Sequence, residues 1–482
     1  MILKNLEPAD VLRYFEEISA IPRAPRNEHA ITDYLLKFAE ERGLSAVRDD
    51  ILNVIIKKPG SKEGKNSPPL ILQGHTDMVC EKNNDTEHDF LKDPIKLVLN
   101  GDILSADGTT LGADNGVACA IMLALLDDDN ISHPPLECVF TSQEEIGLIG
   151  ATHLDFSTLE AKAMINLDSG TEHQFTVGCA GGIKAIAKLP LVREAMPQGF
   201  VCRTVTIKGL LGGHSGNDIH LQRGNANIMM ARTLSSLEQD FGIRIVTIKG
   251  GAQDNAIPRE CVATIALNPA DEAEVSVRLQ GFLAQFQSDL RLSDPGIVLT
   301  MEECSKPCSD VFTKDCASKL LTLVLLCPAG VLAMSLDIKG LVETSCNTAV
   351  IRTLDSSLEM AFMARSSVEA SRDFVVDKIR MLCRQLGAEV SVSAGYPGWK
   401  YAPKSRLRDT AIEVYRNTYG REPLVEAKHS GLEGGIFVSN IPDLDCISMG
   451  SDLFALHSPD EHMSISSLDR TYTLLKAILA KL

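Results

Sequence analysis

At 482 residues the chain is too long for one ordinary hydrophobic core, so two or three domains are expected. Hydrophobic residues at 44% and charged residues at 23% are those of a soluble globular protein, and a net charge of −17 without a Lys/Arg run argues against nucleic acid or an anionic membrane as partner. No stretch reaches the roughly 18 apolar residues of a membrane span, and thirteen cysteines without framework spacing fit reduced thiols in a cytoplasmic protein.

The N-terminal "MILKNLEPADVLRYFEEISAIPR" has acids spread through it and reads as an amphipathic helix, not a secretory leader. Over the first ~180 residues short apolar runs alternate with helix-like segments, the pattern of a parallel α/β sheet. Strands are expected at 54–57, 70–73, 136–141 and 163–167, and their near-continuous apolar character suits burial on both faces. The Ala- and Leu-rich "NGVACAIMLALLDD" after Asp114 is a strong helix signal. From Ile183 onward, runs such as "VCRTVTIKGL", "IRIVTIKGG" and "CVATIALNP" alternate with period 2, as in an antiparallel sheet with one wet face. Within this stretch 248–267 aligns weakly with 338–357, suggesting two copies of one α+β unit. Cys304 and Cys308, the one tight cysteine pair, read as two reduced thiols of the core. After "GYPGWKYAP" the α/β texture returns, with another buried strand in 443–450. The expected organisation is one domain from 1–182 and 399–482, with 183–398 inserted as a second.

The expected strand ends carry a recurring chemistry. "LILQG" leads to His75 and Asp77, "LGAD" to Asp114, "LECVFTSQEE" to Glu144 and Glu145, "AKAMINLD" to Asp168, and "CISMGSDLFALH" to His457. Singly each has a bland reading: Asp114 a helix cap, Asp168 a turn residue, the paired glutamates a solvated loop. Jointly, at the carboxyl ends of parallel strands, they would share one edge of a sheet. So many carboxylates on one edge repel unless cations lie among them. Imidazole with carboxylate suits zinc, with cobalt or manganese as substitutes. Five ligands suit two ions sharing a bridging carboxylate, and such a pair makes a hydroxide from a shared water near neutral pH. Asp77 suits an outer role behind His75, and one of the adjacent glutamates can act as general base while the other ligates.

With "QGHTDMV", "DGTTLGADNG", "TSQEEIGLIGA", "INLDSG", "GLLGGHSG", "DNAIPRE", "HSGLEGGIF" and "LHSPDEHMSI", the chain resembles the Xaa-His (aminoacyl-histidine) dipeptidase branch of the di-zinc peptidase family. That family includes carboxypeptidases, aminoacylases and succinyl-diaminopimelate desuccinylase. The resemblance implies an α/β di-zinc peptidase domain with a mostly parallel central sheet, plus an inserted α+β lid that also dimerises the chain. It implies two Zn²⁺, one on His75 and Asp168 and one on Glu145 and His457, with Asp114 bridging. Glu144 is then the general base and Asp77 the helper carboxylate beneath His75. His214 in "GGHSG" would stabilise the oxyanion, often from the partner subunit, and Arg365 would grip the substrate carboxylate. Asn255 of "DNAIPRE" and Gly434 of "HSGLEGGIF" are the remaining substrate-binding positions implied. One departure concerns Ser169-Gly170, where the branch usually shows further acids after Asp168.

The leading expectation is therefore a cytoplasmic homodimeric metallodipeptidase acting on dipeptides of the Xaa-His type, such as β-alanyl-histidine. An N-acyl-amino-acid deacylase with the same metals is the rival within enzymes. A non-catalytic binding protein of the same fold is the rival outside them, although such relatives should lose ligands or the base.

Overall fold

The structure is a computed structural model and describes residues 2–304 and 307–482. The chain forms two compact units, one of Met1–Cys179, Trp399–Ala427 and Leu432–Leu482, the other of Ala180–Gly398 and Lys428–Gly431. The last short piece, which the sequence reading gave to the outer portion, belongs with the second unit. Its backbone receives the Ala180 N–H at Lys428 O (3.0 Å) and Ser430 O (3.2 Å).

The first unit is built on an eight-stranded sheet. Its order is Ser45–Arg48, Val54–Lys58, Leu136–Thr141, Leu70–His75, Ala163–Asn166, Asp445–Ser448, Gln174–Cys179, Leu424–Lys428. Leu70–His75 runs parallel to both of its neighbours, and Ala163–Asn166 runs parallel to Asp445–Ser448. Outside this centre the pairing is antiparallel, between Ser45–Arg48, Val54–Lys58 and Leu136–Thr141, and between Asp445–Ser448 and Gln174–Cys179. The sheet is thus mixed, not mostly parallel. Short connections suffice between antiparallel neighbours, whereas each parallel pair needs a crossover. The central strands Leu70–His75 and Leu136–Thr141 are buried at every position, as continuous apolar runs should be.

Helix Ala113–Asp127 is apolar all round and almost wholly buried. It lies so close to strand Leu70–His75 that a Cβ on Gly74 would sit 2.4 Å from Asn115 Oδ1 and 2.5 Å from Ala118 Cβ. Asp114 and Asn115 keep non-helical φ/ψ angles, so the helical run proper starts after them. The N-terminal helix is Ala9–Ser19, burying Val11, Leu12, Phe15 and Ile18 on one stripe.

The second unit contains the same β-α-β-β-α-β order twice. One copy is Val201–Lys208, Ala226–Phe241, Arg244–Gly250, Cys261–Leu267, Glu272–Asp289 and Val298–Glu303. The other begins with Gly181–Pro190 and resumes after the first as Lys314–Leu326, Val342–Thr353, Ser357–Ser366, Glu369–Leu386 and Glu389–Val392. In each copy the strands lie in the order fourth, first, third, second, and the two second strands pair through Lys249↔Arg352 and Gly250↔Ile351. The duplication therefore matches 244–250 to 342–353 and 261–267 to 357–366. The sequence alignment ran one strand out of step, because a shared Ile-Lys-Gly and period-2 alternation cannot distinguish neighbouring strands. All thirteen cysteines keep their thiols. Cys304 and Cys308 are only half-buried: Cys304 follows the edge strand Val298–Glu303, and Cys308 packs against the small buried cluster of Val246, Ala266 and Val311. Among the described residues no helix is long and apolar enough to cross a membrane.

Candidate metal centre

Strands Leu70–His75, Leu136–Thr141, Ala163–Asn166 and Asp445–Ser448 share one direction, so the residues following them meet at one edge of the sheet. Asp114 is central there. Its Oδ1 is 3.2 Å from His75 Nε2 and its Oδ2 is 3.3 Å from His457 Nε2, so each oxygen faces a different imidazole. Asp168 Oδ1 lies 3.8 Å from His75 Nε2, and Glu145 Oε2 lies 3.4 Å from His457 Nε2. Two donor sets result, His75–Asp114–Asp168 and Asp114–Glu145–His457, the ligand atoms of each within 4.8 Å of one another. Asp114 belongs to both. Glu144 falls in a third set with His75 and Glu145.

Buried partners hold these groups in place. Asp77 accepts hydrogen bonds from the backbone N–H of Glu144 (3.0 Å) and of Glu145 (3.1 Å), tying the glutamate loop to the turn after His75. Its Oδ1 is also 3.4 Å from His75 Nδ1, whose nearer partner is the Asp77 carbonyl at 3.1 Å. With Nδ1 donating to that carbonyl, Nε2 is left to present a lone pair. Glu461 accepts from Leu111 N (2.8 Å), Gly112 N (3.0 Å) and Asp114 N (3.2 Å), fixing the Asp114 backbone. Arg23, fully buried, donates to the carbonyls of Thr76 (3.0 Å), Asp77 (3.1 Å) and Gly112 (2.5 Å), clamping together the turns next to His75 and Asp114. Glu433 accepts from Thr141 Oγ1 (2.7 Å) and Gln73 Nε2 (2.5 Å) beneath the site. Sequence reasoning missed Arg23, Glu433 and Glu461. Glu433 and Glu461 lie inside quoted motifs, but nothing local marks them as supports.

The electrostatics are those of too many carboxylates in too little water. Burial, then the Asp168, Glu433 and Glu145 charges, push Glu144 well up against the pull of His75, and burial followed by Asp114 does the same to Asp168. Burial also lifts Glu433, to about 7. Burial opposes the charged forms of Asp114 and His75, yet hydrogen bonds to the imidazoles hold Asp114 well below its usual range, and those to Asp114 and Asp77 raise His75. Hydrogen bonds to Asp114 and Glu145 raise His457 to about 10. Buried Glu145 Oε1 has no hydrogen-bond partner. An orphaned carboxylate oxygen, two imidazoles and a carboxylate shared by two donor sets fit divalent cations, and imidazole with carboxylate is a zinc-type donor set.

The second unit carries its own polar cluster. His214 ends the two-residue strand Gly213–His214, paired with Ala256–Ile257. The backbone N–H groups of Gly216 (3.2 Å) and Asn217 (3.1 Å) donate to its Nδ1, so the proton of the neutral ring belongs on Nε2. Burial, then Arg365, lower its pKa to about 4, so the ring is neutral at pH 7. Arg365, on strand Ser357–Ser366, is only 2% exposed. It donates to Tyr396 Oη (2.6 Å) and Ser215 Oγ (3.3 Å), and its Nη2 stands 3.5 Å from His214 Nε2. Among the described residues all these partners are neutral. A buried guanidinium without a carboxylate is costly unless a ligand supplies the anion. Ser345 Oγ and His429 Nε2 pair at 2.7 Å in the same unit, another feature that the sequence reading did not find. Asn255 is exposed, and its carbonyl accepts from Ser215 N at 2.7 Å beside the His214 loop. Gly434 lies in the first unit, in the first turn of helix Glu433–Asn440, where a Cβ would come 3.2 Å from the Trp399 ring.

Comparison with known proteins gives this arrangement a family. Residues 71–481 match the model for peptidase family M20/M25/M40, and the chain belongs to that family. It is 37% identical to the cytosol non-specific dipeptidase of Escherichia coli (strain K12) over 481 residues, 100% of this chain and 99% of that one. The crystal structure of aminoacylhistidine dipeptidase from Vibrio alginolyticus superposes with a TM-score of 0.92 at 36% identity, covering 100% of this chain and 98% of that chain. An aminopeptidase from Bacillus cereus ATCC 10987 shares the fold at a TM-score of 0.58 and 17% identity, covering 99% of both chains.

Proposed function

We propose that the protein is a metallodipeptidase cleaving the single peptide bond of dipeptides, those of the Xaa-His type such as β-alanyl-histidine among them. The observation that carries this reading is Asp114, whose two oxygens face two imidazoles and which belongs to two donor sets. Full-length similarity to two dipeptidases supports the substrate class.

His75 and Asp168 would hold one zinc, Glu145 and His457 the other, and Asp114 both, with cobalt or manganese able to substitute. Such a pair, when bound, polarises the scissile carbonyl and acidifies a water. Glu144 accepts the proton of the attacking water and passes it to the leaving amine, while Asp77 holds the glutamate loop through both backbone N–H groups. His214 donates from Nε2 to the carbonyl oxygen as negative charge develops on it. Arg365 takes the free carboxylate, and its place one residue beyond the scissile bond is what separates a dipeptide from a longer chain. Asn255 and Gly434 are further substrate contacts on this reading. The second unit acts as lid and dimerisation surface of a homodimer, testable by light scattering, and a cytoplasmic location accords with thirteen thiols free of disulfides.

The deciding assay compares Ala-His with N-acetyl-His. Turnover of Ala-His with little of N-acetyl-His supports the dipeptidase. The opposite preference would establish the deacylase, whose amide chemistry is the same.

A further inference from the structure

We infer that Tyr396 is a positioning residue for substrate recognition, holding the Arg365 guanidinium so that its open edge meets the carboxylate of a dipeptide. The inference rests on the proposed role of Arg365 and adds to it the group that aims the cation.

Three adjacent backbones carry the geometry. Arg365 is the cross-strand partner of Gly182, and Gly182 forms an isolated antiparallel bridge with Tyr396. Tyr396 N donates to Gly182 O, and Gly182 N to Tyr396 O, both at 3.0 Å. Arg372 Nη1 also donates to the Tyr396 carbonyl, at 2.9 Å. The Tyr396 backbone is thereby fixed independently of its side chain.

The phenol ring occupies space left by two glycines. A Cβ on Gly182 would lie 2.7 Å from both Cζ and Oη of the ring, and one on Gly431 would lie 2.6 Å from its Cε2. Laid across Gly182, the ring reaches the next strand and accepts from Arg365 Nη1 at 2.6 Å. Ser215 Oγ takes Nε at 3.3 Å. Two neutral acceptors therefore hold the fork from two directions without neutralising it. A carboxylate in the place of Tyr396 would occupy the fork as a competing anion. An alkyl group there would leave a long side chain to find its own rotamer. The remaining donor, Nη2, faces the same space as His214 Nε2, 3.5 Å away. Both are donors, so that space suits an acceptor oxygen.

Tyr396→Phe keeps the ring between the two glycines and removes only the acceptor. The experiment measures kcat and KM for Ala-His and Ala-His amide with metal-loaded wild type, Tyr396→Phe, Arg365→Ala and the double variant. The expected result is a rise of about tenfold in KM for Ala-His, the scale of one hydrogen bond to a charged group, with kcat nearly unchanged and the amide hardly affected. In the Arg365→Ala background the tyrosine change should add nothing. Equal loss on acid and amide in Tyr396→Phe would reduce the tyrosine to a packing role and overturn the inference. Further loss of acid preference in the double variant would overturn it too, since the hydroxyl would then act directly. If Arg365→Ala abolishes acid preference and Tyr396→Phe leaves it intact, this inference fails and the reading of Arg365 stands. If Arg365→Ala leaves the preference intact, both fail together.

Discussion

Glu144 and Glu145 are sequence neighbours whose amides hang from the two oxygens of one carboxylate, Asp77, yet only Glu145 also joins the donor set of Asp114 and His457. Their neutral isosteres should therefore fail differently. Glu144→Gln should retain metal and lose turnover by ~10²–10⁴-fold, the usual contribution of a general base. Glu145→Gln should lose metal first, read by elemental analysis after dialysis. A reversed pattern would exchange the two roles. At the same scale His429 gives a pH prediction. Burial, then Arg365, lower its pKa from 6.5 to about 3, so the folded chain resists a proton that the unfolded chain accepts. The stabilisation is complete above pH 6.5 and is lost as pH falls toward 3. The urea midpoint should fall across that window, and His429→Asn should flatten the fall.

At the scale of elements, the centre depends on how strand ends are coupled to the loops beyond them. Asp77→Asn turns one of two acceptors into a donor facing a backbone N–H. It should loosen the Glu144–Glu145 loop and cost at least tenfold in kcat/KM, a lost hydrogen bond to a charged group contributing ~1.5–3 kcal/mol. Far-UV circular dichroism should stay unchanged, and a collapsed spectrum would mean that Asp77 is chiefly a folding residue. Gly74→Ala tests the strand–helix approach. Its Cβ would lie 2.4 Å from Asn115 Oδ1 and 2.5 Å from Ala118 Cβ. Overpacking of this kind costs about 1–3 kcal/mol, so the midpoint of thermal unfolding should drop. Asn115 also receives the His75 N–H at 3.1 Å, so activity should fall with it.

For the whole molecule the prediction is metal content. Saturated protein should hold two transition-metal ions per chain, and chelation should abolish activity and lower thermal stability, because ions bound only by the folded state stabilise it by mass action. At most one ion under saturating zinc would remove the shared-carboxylate reading. Asp114→Asn should weaken both sites together, since the carboxylate belongs to both donor sets.

Much of the candidate site was legible because its residues follow apolar strands, and a buried parallel strand both advertises itself in sequence and delivers its next residues to one edge. His75, Asp168 and the two glutamates were visible for that reason. The inserted segment was equally legible as antiparallel, since period 2 is a local property. Register, partner and support were not. The mixed order of the first sheet depends on which strands pair after long connections, and the duplicated β-α-β-β-α-β unit, one copy set inside the other, was misaligned by a strand. Glu461 lies 347 residues in sequence from the Asp114 N–H that it holds. Arg23 clamps carbonyls of turns 53 and 89 residues away. Tyr396 finds Arg365 only because Gly182 lies between them on a third segment. By itself the sequence determined which residues could ligate, donate or abstract a proton, since that chemistry belongs to side chains and to local strand pattern. Tertiary structure alone decided which oxygen faces which imidazole and which neutral group aims a buried cation, because those are distances between segments remote in the chain.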